Sequence, residues 1–523
     1  MERKRKNKKF SFANILRFSF VVLIFALSQT SCTEWLEVYP QNDQVSDYYW
    51  SSKEEVEAML NGGYYYYRQM VTTQLLPLGE LRAGHMFSRG AYSSLQEFRI
   101  KETDRNIANW GPFYEVINVA NGVIANADKA LANDDTYDEN MMNAHKAEAR
   151  FLRALSYFYL VRNWRDVPLI LEPYEDDSQS YHVGQSSEAD VIAQIKKDIT
   201  AALESGAAKE YFNKRWENKG RATRWALYAL MADVCLWSED YAAAERYCDM
   251  LLHSTSPYAP TLLATPSHAS WFSIFNPGNS NESIFELQWD EEEKQLNNLP
   301  YLFDNSSSSR VYAFSKKMTE MFIDEINYTR QHMVEEVRTL YGGFYCPMPN
   351  AYVSAETGYC WKYFGSGVLT EKRTSEHYDP NFIIYRVADV VLMKAEALIL
   401  QGSSRWPEAV ALINQIHNRA NLGDVDIDPA NTTEFELLEC LLNERATEFA
   451  GEGKAWYDIL RFGRRDGFKY KESFLLARLL DFNKQASTSW FRSVLSDNNA
   501  LFLPVWEDEL ENNPLLIQNP YYK

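Results

Sequence analysis

Hydrophobic residues recur three or four positions apart through much of the chain, most clearly in residues 145–161 (HKAEARFLRALSYFYLV). This period places the apolar side chains on one face and predicts an amphipathic helix. Similar spacing predicts helices over 110–128 and roughly over 187–205. The string SSKE at 51–54 supplies an N-cap and an acidic first turn, which predicts the start of another helix.

Two later segments resemble each other, residues 224–252 and residues 386–419. Each has a helix rich in Ala and Leu, a short polar turn, an aromatic residue and a second helix that opens with Ala. This pattern is typical of tetratricopeptide helix pairs, which stack to share a continuous core. The sequence therefore predicts an all-α fold, a tetratricopeptide-like helical repeat scaffold.

The helical period is lost in residues 77–109 and in residues 253–385, which are richer in turn-forming residues. We predict that the first is a long loop and the second a large loop-rich insertion on the helical scaffold. Long irregular segments inside compact domains often carry function, so both are candidate ligand-binding segments. The scaffold and its insertion together are predicted to form a single domain over 51–523.

The amino terminus has the layout of a secretory signal. Basic residues at 3–9 precede a mostly apolar run at 18–27, and the small polar string SQTSC ends at Cys32. The cysteine after a small residue resembles the end of a bacterial lipoprotein signal, which predicts a signal peptide over 1–31 and lipidation of Cys32. Residues 32–50 are predicted to be an extended tether. Ordinary secretion with a free Cys32 is the alternative.

Composition narrows the function. The net charge is −19, and removal of residues 1–31 leaves 46 basic against 71 acidic residues, a net charge of −25. Such an acidic surface argues against nucleic acid as a partner. The chain has 33 Tyr and 14 Trp, side chains that suit amphipathic contact surfaces. We find no nucleotide-binding, hydrolase or zinc motif, and the sequence predicts no metal site.

One acidic stripe could indicate catalysis. Glu444, Glu448 and Glu452 are spaced by four residues, and paired carboxylates hydrolyse glycosides. We favour a scaffold role, because Arg445 and Arg461 lie close enough in sequence to pair with such acids.

Eight strings, spread in order along the whole mature chain, resemble the SusD/RagB family of nutrient-binding outer-membrane lipoproteins. They are SKEEVEAMLNGGY (52–64), WGPFYEVINVANGVI (110–124), AEARFLRALSYFYLVRNWRDVPLI (147–170), ESIFELQW (282–289), YRVADVVLMKAEAL (385–398), INQIHNRANL (413–422), NERATEFAGEGKAWYDILRFG (443–463) and FLPVWEDELENNPLLIQNPYY (502–522).

The resemblance implies tetratricopeptide-like helices that carry a loop-rich region, without cofactor or catalytic activity. It also implies a lipid-anchored protein on the outside of the outer membrane, docked on a TonB-dependent SusC-like transporter. Ligands in this family are mostly glycans and sometimes peptides. The leading interpretation is thus capture of an oligosaccharide. A peptide-binding uptake protein, an all-helical glycosidase and a repeat protein that grips an assembly partner are the alternatives.

A sugar site needs flat rings that stack on the apolar face of a pyranose, with polar groups for its hydroxyls. The resemblance places such a site in the loop after the first helix and in the segment after ESIFELQW. The candidate residues there are Arg82, Phe87, Tyr92, Trp289 and Tyr301, with Trp361 and Tyr363 further along the chain. Trp289 and Tyr92 are the preferred candidates. Packing inside the core is the alternative for each ring.

Overall fold

The computed structural model describes residues 49–88, 92–175, 179–265, 267–303, 312–339, 360–366, 371–484 and 486–523. Residues 51–523 form one compact unit. The predicted signal peptide, Cys32 and the predicted tether as far as residue 48 lie outside the described residues.

Helices dominate the compact unit. Those before residue 273 are α1 (Lys53–Gln69), a π-helical turn (Val71–Leu75), α2 (Leu76–Glu80), α3 (Ser93–Glu97), α4 (Arg105–Ala108), α5 (Gly111–Asn133), α6 (Glu139–Trp164), α7 (Glu188–Glu204), α8 (Glu217–Gly220), α9 (Arg224–Trp237), α10 (Tyr241–Leu252) and α11 (His268–Phe272).

The helices after residue 298 are α12 (Leu299–Leu302), α13 (Lys316–His332), α14 (Trp361–Phe364), α15 (Val387–Ile399), α16 (Trp406–Arg419), α17 (Glu434–Glu448), α18 (Ala455–Phe468), α19 (Ala477–Phe482), α20 (Thr488–Val494) and α21 (Glu507–Asn512). A π-helical turn (Lys471–Leu476) and short 3₁₀ turns (Ser375–His377, Ser403–Arg405, Asn498–Leu501, Pro520–Tyr522) complete them.

In the part of the chain that the structure describes, three antiparallel strand pairs lie among the helices. They are β1 (Met86–Ser88) with β5 (Tyr312–Phe314), β2 (Val167–Pro168) with β3 (Gln185–Ser186), and β4 (Ser283–Leu287) with β6 (Phe382–Arg386). In the last pair Leu287 lies opposite Phe382, and a register shift interrupts the pairing near Phe285.

The long helices pack in a continuous series, α1 on α5, α5 on α6, α6 on α7, α7 on α9, α9 on α10, α10 on α15 and α15 on α16. The two predicted repeat units are the pairs α9–α10 and α15–α16, and the all-α prediction is confirmed. Local signals fix the helix starts. At α1, Ser52 accepts from the backbone N–H of Glu55, whose carboxylate accepts in return from the backbone of Ser52.

The two segments predicted to be irregular are more regular than expected. Within 77–109 the chain forms α2, β1, α3 and α4, and residues 78–86 are buried, so this prediction of a long loop is wrong. Within 253–385 lie the seventeen-residue helix α13 and the strand pair β4–β6. Short apolar strands carry too little periodicity to be separated from buried loop in a sequence.

A set of ion pairs, which we call the buried charge network, joins α16, α17 and β6 to the residue before β4 and to the segments around residues 338 and 362. Its members are Glu282, Arg338, Lys362, Arg386, Arg419, Glu444, Glu448 and Glu452, all of them buried. Arg386 binds Glu282 and Glu452 at 3.0 Å and Glu448 at 2.6 Å.

The scaffold interpretation of the acidic stripe fits these contacts, although the partners differ from those predicted. Arg338 pairs with Glu444 and Glu448, while Arg445 and Arg461 pair with aspartates and with Glu396 instead. Burial opposes ionisation of Glu448, but the surrounding arginines outweigh it and hold its pKa well below the usual range. These carboxylates are structural anions.

Candidate ligand-binding site

A cavity of about 540 Å³ opens between α1, α8 and the end of β4. Its walls combine rings with charged and amide side chains: Asn61, Tyr64, Tyr65, Arg68, Lys214, Trp216, Gly220, Arg221, Asn279, Leu287, Gln288, Trp289, Asp290, Glu293 and Gln295. We call it the Trp289 cavity. Its volume is in the range of small-ligand sites.

One face of α1 forms a wall of this cavity. Asn61, Tyr64, Tyr65 and Arg68 are spaced three or four residues apart, so they share a side of the helix. The Tyr65 side chain is 51% exposed, whereas Tyr67, on the opposite side, is fully buried. The helix therefore packs with one set of tyrosines and leaves another set open.

Trp289 is positioned by the strand pair. It comes two residues after the end of β4, and its backbone N–H donates to Asn381 Oδ1 at 3.1 Å, directly before β6. The chain then turns, with Asp290 and Gln295 bridged to each other. The ring is half-buried, so one part packs while another part faces the cavity.

Arg68 connects the two walls. Its guanidinium carbon lies 5.3 Å from the ring centre of Tyr65 and 5.9 Å from that of Trp289. Arg68 Nη1 donates to Gln288 O at 3.0 Å and also bonds the Gln295 amide oxygen. Burial lowers the pKa of this guanidinium, which stays charged at neutral pH. A fixed planar donor thus lies between two rings.

A buried ion pair forms the floor. Arg221 binds Glu148 through two parallel bonds, of 2.9 and 2.8 Å, and Glu148 accepts from the Tyr64 hydroxyl at 2.8 Å. Trp216 stands above this floor at 47% exposure, just before α8. Gly220 approaches Gln288 so closely that a Cβ would come within 2.5 Å of its side chain, and this keeps α8 against β4.

The arrangement suits a neutral polar ligand with flat apolar faces. Tyr65, Trp216 and Trp289 offer rings for stacking, and Arg68 offers a fixed donor array. Asp290 and Gln295 add acceptors at the cavity edge.

The structure places one of the six predicted ligand residues, Trp289, in this cavity. Two others are corrections. Arg82 is fully buried, with its guanidinium 4.1 Å from the ring centre of Trp456, and Trp361 is 1% exposed. Tyr363 is also buried and donates to Gly451 O. These side chains hold the core together and are closed to a ligand.

The remaining three stay predictions. Phe87 is half-buried in β1, opposite Ala313, and the half-buried Tyr92 donates its hydroxyl to Thr73 O at 3.1 Å. Tyr301 is exposed on α12. The contacts of these three residues do not bring them into the Trp289 cavity.

The sequence analysis missed Tyr65, Arg68 and Trp216. A usable signal was present, because the string YYYY at 64–67 puts tyrosines on every side of α1, and a packed helix needs them on one side only.

Across the described ranges, no helix is both long and apolar enough to cross a membrane.

Together the stacked helix pairs and the ring-lined cavity define a class of protein, a helical-repeat scaffold with a ring-lined cavity open at its surface. Comparisons with known proteins specify the family. The profile of the SusD family matches residues 275–522, and the profile described as "Starch-binding associating with outer membrane" matches residues 34–236. The chain belongs to the SusD/RagB family.

Relatives and solved structures agree with this assignment. "SusD-like protein P2" of Formosa agariphila is 26% identical over 478 residues, which cover 85% of this chain and 90% of the relative. A SusD superfamily protein from Bacteroides vulgatus has a TM-score of 0.73 at 20% identity, covering 90% of this chain and all of that chain. A "Laminarin binding SusD-like protein" has a TM-score of 0.65 at 21% identity, covering 90% and 99%. At these identities the structures establish the fold.

Proposed function

We propose that the protein is a non-catalytic, cell-surface lipoprotein that captures an oligosaccharide in the Trp289 cavity and delivers it to a TonB-dependent SusC-like transporter. The observation that carries this proposal is the open set of rings, Tyr65, Trp216 and Trp289, around Arg68. Large aromatic side chains are normally buried in the folded protein. Three of them that face one open cavity therefore indicate a binding surface.

The polar groups of the cavity favour sugar over an apolar ligand. A pyranose has C–H faces that stack on rings and hydroxyls that need both donors and acceptors, and Arg68, Gln295 and Asp290 supply both. The family description that names starch binding and the fold shared with a laminarin-binding protein support a glycan. Peptide is the second candidate.

The burial of the acidic stripe argues against hydrolysis by its own carboxylates. Hydrolysis requires two accessible carboxyl groups flanking the bond to be broken. Glu444, Glu448 and Glu452 are closed inside the buried charge network and cannot reach a substrate. Incubation of the purified protein with polysaccharides should release no reducing ends, and their release would favour the glycosidase alternative.

Attachment to the membrane is proposed to use lipid on Cys32. Each buried CH₂ of an acyl chain contributes about 0.8 kcal/mol, so several chains anchor a protein firmly. Globomycin treatment should cause an unprocessed precursor to accumulate. Purification of the tagged protein from outer membranes should bring down a TonB-dependent transporter.

Affinity electrophoresis tests the capture function. Wild type, Trp289→Ala and Tyr181→Ala are run through gels that contain starch, laminarin, xylan, mannan or pectin. Tyr181 is a matched control, because it is 51% exposed like Tyr65 and lies outside the lining of the Trp289 cavity. We expect one polysaccharide to retard wild type and Tyr181→Ala but not Trp289→Ala. Unretarded wild type in every gel would contradict glycan capture.

A further inference from the structure

A second group of open rings lies beside the Trp289 cavity. Tyr211 and Tyr258 stack face to face, with ring centres 3.9 Å apart and planes within 15°. They are 45% and 48% exposed. The pair therefore presents a flat aromatic surface to solvent instead of packing into the core.

This stacked pair belongs to a cavity of its own, of about 590 Å³. Arg215, Asn218 and Asn281 are among the polar residues that line it, so here too rings lie beside hydrogen-bonding groups. The combination is the one that the Trp289 cavity shows, in a similar volume.

The two cavities share a wall. Asn279 lines both, and its side-chain amide exchanges hydrogen bonds of 3.0 and 2.9 Å with Gln288, the residue before Trp289. Arg215, in the second cavity, donates from Nε to Asn279 O at 3.2 Å. The boundary is therefore a fixed polar ridge.

One short stretch of chain supplies rings to both sides. Tyr211 lines the second cavity and Trp216 the first, and their positions are five residues apart in the chain. Five residues reach at most about 18 Å when fully extended, so the Cα atoms of the two residues lie within the length of a short oligosaccharide.

We propose that Tyr211 and Tyr258 form a second sugar-binding subsite, so that the protein holds a glycan chain of several units across both cavities. This inference rests on the proposed function and adds the class of ligand, an extended neutral oligosaccharide instead of a mono- or disaccharide. The Trp289 cavity holds one part of the chain, and the stacked tyrosines hold the next part across the Asn279 ridge.

Length-dependent binding tests this proposal. The probes are the trisaccharide and the heptasaccharide of the polysaccharide that retards the protein in the gels above, measured by titration calorimetry. In the double variant Tyr211→Ala/Tyr258→Ala, the heptasaccharide affinity should fall roughly threefold to tenfold, because the stacking surface for the more distant sugar units is lost. The trisaccharide affinity should stay at the wild-type value.

Controls separate stacking from folding. Tyr211→Phe/Tyr258→Phe keeps the rings and should keep the heptasaccharide affinity. Tyr181→Ala, which removes another exposed tyrosine ring that contacts a neighbouring ring, should change neither affinity. A double alanine variant that binds the heptasaccharide like wild type, while Trp289→Ala does not, would overturn the second subsite and leave the capture function standing. A wild-type protein that binds none of the five polysaccharides would overturn both.

Discussion

The buried charge network and the Trp289 cavity are built from the same residue types, but the first is closed to solvent and the second is open. Around Arg386, every carboxylate has a cationic partner and the rings close the space, with Phe449 at 4.5 Å from the guanidinium. Around Arg68, the rings of Tyr65 and Trp289 flank the guanidinium but remain partly open. An arginine between rings is thus a core element in one place and part of a site in the other.

The difference lies in what surrounds each arginine. Taking a charge out of water is costly, and only a complete set of partners offsets it, so a network like that of Arg386 must be closed and fully paired. The Arg68 side chain remains partly open to the cavity, and its guanidinium makes hydrogen bonds to only two protein groups that the structure describes, Gln288 O and the Gln295 amide oxygen. Accessibility, more than residue type, distinguishes the closed network from the open candidate site in this chain.

The largest expected effect comes from opening the closed region. Arg386→Ala should leave Glu282, Glu448 and Glu452 without their shared cation and cost about 3–5 kcal/mol of folding free energy. Arg68→Ala, in the half-buried position, should change stability by less than about 1 kcal/mol. Chemical denaturation of both variants measures this. Equal losses would mean that the Trp289 cavity is part of the core.

Removal of the main ring should act on binding instead. Trp289→Ala should weaken oligosaccharide binding by more than about tenfold, or 1.4 kcal/mol, because the stacking surface is lost. Calorimetry gives the affinity and thermal unfolding the stability. A large drop in melting temperature with unchanged affinity would place Trp289 among the structural rings.

The helices and the strands of this fold were not equally predictable from the sequence. Helices such as α6, α9 and α15 were predictable because their apolar period is long and rich in Ala and Leu. The strands β4 and β6 were not, since five consecutive buried residues show no period.

Only part of the candidate site was predictable, because the sequence pattern does not show which rings are buried. Trp289, which closes a family string, lies in the cavity wall, whereas Arg82 and Trp361 are buried in the core. An arginine can stack on a ring in a core as well as in a binding site. Residues far away in the sequence determine whether that arginine is buried. Trp456, which covers Arg82, lies more than 370 residues away.

A pH experiment refines the description of the closed region. Burial raises the pKa of Glu80 to about 8, although the carboxylate accepts from the Gly453 N–H at 2.8 Å. The folded state therefore binds a proton that the unfolded chain, with a Glu pKa near 4.3, releases, and stability should fall as pH rises from about 5 to 8.

Glu80→Gln keeps the acceptor and removes the titration. It should match wild type near pH 5 and be more stable by at least about 1 kcal/mol at pH 8. The exposed Glu54→Gln serves as control. Parallel stability curves for Glu80→Gln and wild type over this range would rule out a neutral buried Glu80.

The smallest expected effect concerns a predicted site residue outside the cavity. With capture confined to the Trp289 cavity, Tyr92→Ala should change oligosaccharide affinity by less than about twofold, because Tyr92 lies outside the lining of that cavity and its hydroxyl donates to Thr73 O. Calorimetry beside Trp289→Ala makes the comparison. A loss as large as that of Trp289→Ala would extend the site to the segment after α1.

A crystal structure with a bound oligosaccharide of the polysaccharide that retards the protein tests the central claim most directly. The account predicts a sugar ring stacked on Trp289, with sugar hydroxyls hydrogen-bonded to the polar groups of the cavity, Arg68, Asp290 and Gln295. Sugar bound at a surface remote from Tyr65, Trp216 and Trp289, with this cavity unchanged, would contradict it.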